Sequence, residues 1–157
     1  MADDTIKQAA QEFLAAQFTE DGLTYDEQQN RDAGIALAPA VWRRVVEKVF
    51  SMCQEWNSVT KEQSLSCKET ALGDLRIRCA GRPHQLVFHY DSKHRLVRVE
   101  NTAREDYEPK IVLSIQGYSK GSGRDARLMR NEEPVNLEML VVGQLRVLAG
   151  LSRKSKI

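Results

Sequence analysis

The residues of this chain that titrate closest to neutral pH are its three histidines, His84, His89 and His94. His89 falls in an alternating stretch that predicts a β-strand, and His94 falls in the polar turn after it. We expect Tyr90 to pair with Arg95 across that turn. His89 would then lie opposite Leu96 and diagonal to His94, so both histidines would share the outward face of the sheet.

Two histidines on one face can begin a metal site or supply a general base. A metal ion needs a third ligand, and Asp91 is the one nearby carboxylate on that face. We therefore expect surface histidines, with no metal and no cofactor. An enzyme that uses His89 as its general base stays open as an alternative. The sequence leans against an enzyme, because no recognisable nucleophile motif accompanies the histidines.

The chain has three cysteines, Cys53, Cys67 and Cys79, each within an apolar pattern. An odd number of cysteines without CxxC spacing is typical of reduced core thiols in a cytoplasmic protein. A three-residue turn after the first strand would place Cys67 opposite Cys79, and a two-residue turn would place it opposite Arg78. We favour the first register because it buries both thiols, and we expect the thiols to stay free.

A second candidate site lies in residues 117–124, which combine glycines and hydroxyls with Lys120 and Arg124. Backbone N–H groups and cations in such a loop can cradle a phosphate. The GxxxxGK[ST] order of a P-loop is missing, however. One interpretation is anion or nucleic-acid binding through residues 117–130. The other is a flexible, solvated basic loop over residues 117–134.

Cations and apolar residues share the outward face of the predicted sheet. Alternation places on that face Arg76, Arg78, His89, Leu96, Arg98 and Val112. Such a mixture suits an acidic protein partner or a small anionic ligand with an apolar part. The acidic residues 20–32, from this chain or from a second copy, are one source of such a partner. The alternative is an ordinary solvated face with arginine stems lying along the sheet.

Alternating segments predict the strands that position these residues. The five segments are Leu65–Ala71, Leu75–Cys79, Leu86–Tyr90, Leu96–Glu100 and Lys110–Gly117. Polar turns separate them, so consecutive strands are expected to pair antiparallel. The inward face of this sheet is expected to carry Leu86, Phe88, Val97 and Leu113. The predicted class is α+β, with an antiparallel meander of four or five strands packed on one face by helices.

Amphipathic segments predict three helices, at about Asp4–Phe18, Pro39–Trp56 and Val135–Leu151. Pro39 suits the first turn of the second helix. Residues 19–38 are predicted to be a polar connector, with Asn30 and Gly34 among its helix breakers. Residues 152–157 form a basic tail. The predicted order is therefore α-α-β-β-β-β-β-α within a single domain, residues 1–157.

Charge is balanced overall but unevenly distributed. The net charge of the 157 residues is +1, so no global field attracts nucleic acid or a membrane surface. Residues 1–38 carry eight acids and two bases, whereas residues 117–157 carry eight bases and four acids. No apolar run is long enough to span a bilayer, and no secretory signal precedes the first helix. We expect a cytoplasmic protein.

These observations favour a non-catalytic binding or protein-interaction module that uses the outward sheet face. Arg76, Arg78, His89 and Arg98 are its expected contact residues. The partner is expected to be a protein or a small anionic ligand, and self-association is expected. Nucleic-acid binding through the Gly/Ser/Arg loop and a small enzyme based on His89 are the alternatives.

Overall fold

The computed structural model describes residues 2–16, 24–61, 64–104 and 110–151. Within these residues, three helices accompany one seven-stranded sheet. The helices are α1 (Ala2–Ala16), α2 (Tyr25–Val59) and α3 (Leu137–Leu148). The strands are β1 (Leu65–Glu69), β2 (Leu75–Cys79), β3 (Gln85–Asp91), β4 (Leu96–Asn101), β5 (Ile111–Lys120), β6 (Gly123–Arg130) and β7 (Glu133–Pro134). The chain is an α+β protein, which confirms the predicted class.

The seven strands form a meander in which each strand pairs antiparallel with the next. The meander was predicted, but with four or five strands instead of seven. The two additional strands, β6 and β7, lie in residues 117–134, where a flexible loop was predicted. β5 continues to Lys120, Gly121 turns the chain with a φ of +60°, and β6 returns from Gly123. Small and polar side chains around the buried Leu128 hide the period of two in β6.

Helix α2 begins at Tyr25, so the predicted start near Pro39 is wrong. Thr24 caps the helix in a reciprocal arrangement with Glu27. The Thr24 hydroxyl accepts from the Glu27 N–H, and the Glu27 carboxylate accepts from the Thr24 N–H, each at 3.2 Å. The predicted connector over residues 19–38 is therefore helical from residue 25 onward, and residues 17–23 lie outside the described part of the chain.

Two glycines explain why α2 tolerates a helix breaker in this region. A Cβ at Gly34 would lie 3.2 Å from the Gly117 nitrogen, so the helix backbone approaches β5 closely at this point. Packing against the sheet thus outweighs the low helix propensity of Gly34. Pro39 lies inside the helix, where it cannot donate to the Ile35 carbonyl.

The core lies between one face of the sheet and the helices α2 and α3. Alternate residues of β2 to β5 are fully buried, among them Leu75, Ile77, Leu86, Phe88, Val97, Val99 and Leu113. They pack with Val45 and Val49 of α2 and with Val141 and Leu145 of α3. Burying each such apolar side chain contributes about 1.5–3 kcal/mol, which makes this face the main source of stability.

One buried polar contact fixes α3 against the sheet. The Asn101 side-chain amide donates to the Gln144 carbonyl at 3.0 Å and to the Gln144 side-chain oxygen at 3.2 Å. Both residues are buried, so each polar group needs such a partner. Gly143, in contrast, does not pack closely on anything, since a Cβ there would meet no atom within 4 Å.

The turns set registers that differ from the predicted ones. The turn from β1 to β2 has five residues, Thr70–Asp74, so Leu65 pairs with Cys79 and Cys67 with Ile77. The predicted pairing of Cys67 with Cys79 is therefore wrong, as is the alternative with Arg78. A shift of two residues also separates the predicted and observed pairing of β3 with β4.

Candidate functional site

The outward face of the sheet is open in the described structure. Helices α2 and α3 both pack on the inward face, where one continuous core joins them to the strands. The N-terminal part of α2 lies on that same inward side, where Gly34 meets Gly117. Every described helix therefore leaves the outward residues Arg76, Arg78 and Arg98 exposed.

Three cations meet on the outward face where β1 pairs with β2. Lys68 lies directly opposite Arg76, and Ser66 lies opposite Arg78. These residues border a groove of about 330 Å³ lined by Ser66, Lys68, Glu69, Thr70, Arg76 and Arg78. We call this groove the β1–β2 groove. Sequence reasoning found Arg76 and Arg78 but missed Lys68, which only the five-residue turn brings opposite Arg76.

The cations of the β1–β2 groove are poorly neutralised. Among the described residues, no carboxylate pairs with Lys68 or Arg76, and Arg78 reaches only the Gln85 amide oxygen at 3.5 Å. The one acid in the groove, Glu69, is held by Arg43, whose Nη1 lies 3.1 Å from both carboxylate oxygens. The groove therefore presents a positive charge that is available to a ligand.

His89 lies near the centre of the outward face. It pairs with Arg98 of β4, and not with Leu96 as predicted. Its Nδ1 contacts the Asp74 carboxylate, whose side chain is 14% exposed. In a neutral imidazole, a carboxylate at Nδ1 favours the tautomer that carries its proton there, and Nε2 is then an acceptor. Asp74 was missed because it belongs to the turn of another strand pair.

Arg98 is partly neutralised by its neighbour Asp91, 3.6 Å away. The same carboxylate accepts from the His94 ring at 2.8 Å and from the His94 backbone N–H at 3.1 Å. These two hydrogen bonds, with a smaller contribution from Arg98, hold the pKa of Asp91 below its ordinary value. Arg98 therefore offers less free charge than Arg76.

The hairpin β5–β6 holds the other two predicted site residues, Lys120 and Arg124. Arg124 donates to the side chains of Asn30 at 2.6 Å, Asp26 at 2.9 Å and Ser119 at 2.9 Å. Lys120 lies 3.6 Å from Asp125. The structure thus separates these two cations from the outward-face group and engages both within the chain.

The neighbours of Lys120 and Arg124 are also engaged. The backbone N–H of Ala126, together with Arg44 and Lys120, keeps the pKa of Asp125 below its usual range. Arg127 lies over the Tyr118 ring, 4.1 Å from its centroid. The cations at the tip of this hairpin are therefore engaged within the chain, which disfavours the predicted phosphate site.

Two further grooves lie elsewhere in the described part of the chain. One, of about 480 Å³, runs between α2 and α3 and is mainly apolar, with Met52, Trp56, Val59 and Val142 in its lining. The other, of about 280 Å³, lies where α2 crosses β5. His89 lines neither of them, nor the β1–β2 groove. Across the described ranges, no three His, Cys, Asp or Glu side chains are grouped so that they could hold a metal ion.

None of the three cysteines, all of which lie in the described part of the chain, forms a disulfide, and two of them are neighbours. Cys67 of β1 lies beside Cys53 of α2, and its thiol hydrogen-bonds to the Cys53 sulfur. This bond and burial raise the pKa of Cys67, so its thiol stays protonated. A protonated, partly buried thiol is a poor nucleophile. The Cys67 thiol is therefore an unreactive part of the core, whereas the same hydrogen bond lowers the pKa of the buried Cys53.

Comparisons with known proteins give no indication of the function of this site. No protein-family model, no curated protein and no solved structure matches this chain. None of the helices in the described part of the chain is both long and apolar enough to cross a membrane.

Proposed function

We propose that this protein is a non-catalytic interaction module whose outward sheet face binds an acidic, partly apolar segment of a protein partner. The observation that carries the proposal is the excess of unneutralised cations on an uncovered face. Arg76 and Lys68 have no carboxylate partner among the described residues. When an unpaired cation binds an acidic partner, no internal ion pair has to break first. The free-energy cost of binding is therefore small.

Apolar side chains beside these cations support a polypeptide partner more than a bare ion. Val112 of β5 is 43% exposed on this face, and Val87 and Leu96 are half-buried. Val112 lies directly opposite Arg98, and Val87 directly opposite Arg76. Exposed charge next to partly exposed aliphatic surface matches a segment that alternates acidic and apolar residues.

Self-association and a cytoplasmic location complete the proposal. Helix α1 carries more acids than bases, and its Ile6 and Phe13 are 68% and 64% exposed. The α1 helix of a second copy is thus one segment with the required chemistry. Cysteines that form no disulfide suit a reducing compartment such as the cytoplasm.

A charge-reversal experiment tests the outward face. We expect the triple variant Arg76→Glu, Arg78→Glu, Arg98→Glu to lose its specific partners in a quantitative pull-down. The matched control is Lys120→Glu, Arg127→Glu, Arg130→Glu, which makes the same change in net charge on the hairpin. Sedimentation of both variants shows whether the same face mediates self-association. Unchanged capture by the outward-face variant, or equal loss in both variants, contradicts the proposal.

Nucleic-acid binding through residues 117–130 is less favoured. Arg124 would have to leave Asn30, Asp26 and Ser119 before it could contact a phosphate. A mobility-shift assay at low salt tests this alternative. A shift that falls steeply with salt and is lost in the hairpin variant would revive it.

A general-base function for His89 is a second candidate, and the Asp74 contact favours it. A carboxylate that orients an imidazole is a recurring part of acid–base catalysis. We expect any turnover of a panel of ester and phosphate-ester substrates to fall in both His89→Gln and Asp74→Asn. His94→Gln is the control, since His94 also bonds a carboxylate but lies in the turn. Absence of turnover above buffer removes this candidate.

A further inference from the structure

We propose that the β1–β2 groove is a subsite for a phosphate-type tetrahedral oxyanion, carried on the ligand as a monoester. This inference rests on the proposed function, since Arg76 and Arg78 belong to both. It adds that the partner carries a dianionic group and that Lys68 recognises it.

The pairing of Lys68 with Arg76 is the first reason. Residues directly opposite in an antiparallel pair have Cβ atoms about 4.5–5.5 Å apart, and like charges at that distance destabilise the sheet. Here two cations, Lys68 and Arg76, are directly opposed, and no carboxylate of the described residues balances them. A bound anion would convert this repulsion into two attractions.

The arrangement of donors is the second reason. Arg78 is two residues from Arg76 on the same face, about 7 Å along the strand, so the two extended guanidinium side chains can converge on the same point. Guanidinium forks bind two oxygens of a tetrahedral anion, and the Lys68 ammonium adds a point charge. The Ser66 and Thr70 hydroxyls line the groove as neutral donors.

The acid that borders the groove does not prevent anion binding. Both oxygens of Glu69 lie 3.1 Å from Arg43 Nη1, and this contact offsets the negative charge. Thr70 accepts the Asp74 backbone N–H at its hydroxyl oxygen, which leaves the hydroxyl hydrogen free to donate. Three cations against one compensated acid favour a dianion over a single carboxylate.

The open volume favours a monoester over a free ion. The groove has about 330 Å³, more than one phosphate group fills. An attached chain can therefore leave across the outward face. A phosphorylated side chain of a partner and a small sugar phosphate share this chemistry, and the experiment separates them.

Titration followed by ¹⁵N NMR with phenyl phosphate as the probe tests the subsite. At a pH above the second phosphate pKa of about 6, the probe is a dianion. We expect saturable shifts confined to the amides of residues 66–70 and 76–78, with a Kd of about 1 mM. Benzoate, a monoanion of similar shape, should bind at least tenfold more weakly. Parallel titrations with a phosphoserine peptide and with glucose 6-phosphate identify the source that binds more tightly.

Variants decide whether the groove is responsible. Lys68→Gln and Arg76→Gln should each weaken phenyl phosphate binding about tenfold, whereas Arg98→Gln, on the same face but outside the groove, should leave it unchanged. No saturable shift, or equal binding by Lys68→Gln, overturns the subsite. The triple variant leaves Lys68 in place, and Arg98 lies outside the groove. The two sets of variants therefore distinguish a failure of the phosphate subsite from a failure of the interaction module. Loss of the subsite with partner capture intact leaves the interaction module standing.

Discussion

The β1–β2 groove and the β5–β6 hairpin are built from the same kinds of residue. They differ in whether their cations are paired within the chain or remain available to a ligand. Each combines lysine, arginine and hydroxyl side chains on a pair of antiparallel strands. In the hairpin, Arg124 has three side-chain acceptors. In the groove, Lys68 and Arg76 have no acidic partner among the described residues. Residue type alone therefore says little about whether a cation can bind a ligand.

Two parts of helix α2, its N-terminal turns and its middle, produce this difference. The N-terminal part of α2 brings Asp26 and Asn30 to Arg124. Farther along, α2 presents Arg43 to the edge strand, where it takes up Glu69 and leaves the neighbouring cations without that acid. Helix α2 thus neutralises a cation of the hairpin, whereas at the groove it pairs with the acid and leaves the cations unpaired.

The largest expected effect is at the contact that holds α2 over the hairpin. A Cβ in Gly117→Ala would overlap the Asn30 carbonyl oxygen and lie 2.9 Å from the Gly34 nitrogen. We expect the free energy of unfolding to fall by about 2–3 kcal/mol in urea titrations, because neither backbone can yield easily. Gly143→Ala is the control and should instead gain about 1 kcal/mol, since alanine is the better helix former. Equal effects at both glycines would break the account of the α2 contact.

The next effect concerns the engaged cation of the hairpin. Arg124→Gln removes the bonds to Asp26 and Asn30, and we expect a loss of about 1 kcal/mol in the free energy of unfolding, reduced by solvent screening at the exposed Asp26. Chemical denaturation at moderate salt measures it. A loss below the error of the titration would mean that Arg124 is not committed to α2.

A smaller effect of opposite sign is expected in the groove. Arg76→Gln removes one of the two opposed cations, so the free energy of unfolding should rise by a few tenths of a kcal/mol. The gain should shrink as salt screens the repulsion in the wild-type protein. A destabilised Arg76→Gln variant would show that this cation has an internal partner, and the contrast with Arg124 would disappear.

The smallest effect is a pH dependence near Arg98. The pKa of Asp91 is lowered in the folded protein, so its contribution to stability is present above the unfolded pKa of about 3.9. That contribution is lost as the pH falls through the lower folded value. Asp91→Asn should therefore be less stable than wild type at pH 7, with the difference vanishing in acid. If the difference in stability between wild type and Asp91→Asn persists unchanged below both pKa values, the ionisation of Asp91 is not its cause.

Local patterns predicted the strands well and the long helix poorly. The alternation of Leu75, Ile77 and Cys79, and of Leu86 and Phe88, correctly identified β2, β3 and their buried face. The sequence pattern did not predict the start of α2, because Asn30 and Gly34 have low intrinsic helix propensity. A contact with Gly117, far along the chain, outweighs that propensity.

The candidate site divides in the same way. Alternation placed Arg76, Arg78 and Arg98 on one face, and the structure keeps them there. It did not find Lys68 or Asp74, because their positions opposite Arg76 and His89 depend on the length of the β1–β2 turn and on pairing between strands. A shift of register changes every such pair without changing the composition of the face.

By itself, the sequence determined which residues face the core and which face outward, because a pleated strand alternates its side chains whatever it pairs with. The tertiary structure alone decided which of the cations on the sheet are engaged within the chain and which remain available to a ligand. That choice depends on where the distant α2 side chains Asp26, Asn30 and Arg43 come to lie. Coulombic and hydrogen-bonded partners act over a few ångströms in space, and separation along the chain does not reveal them.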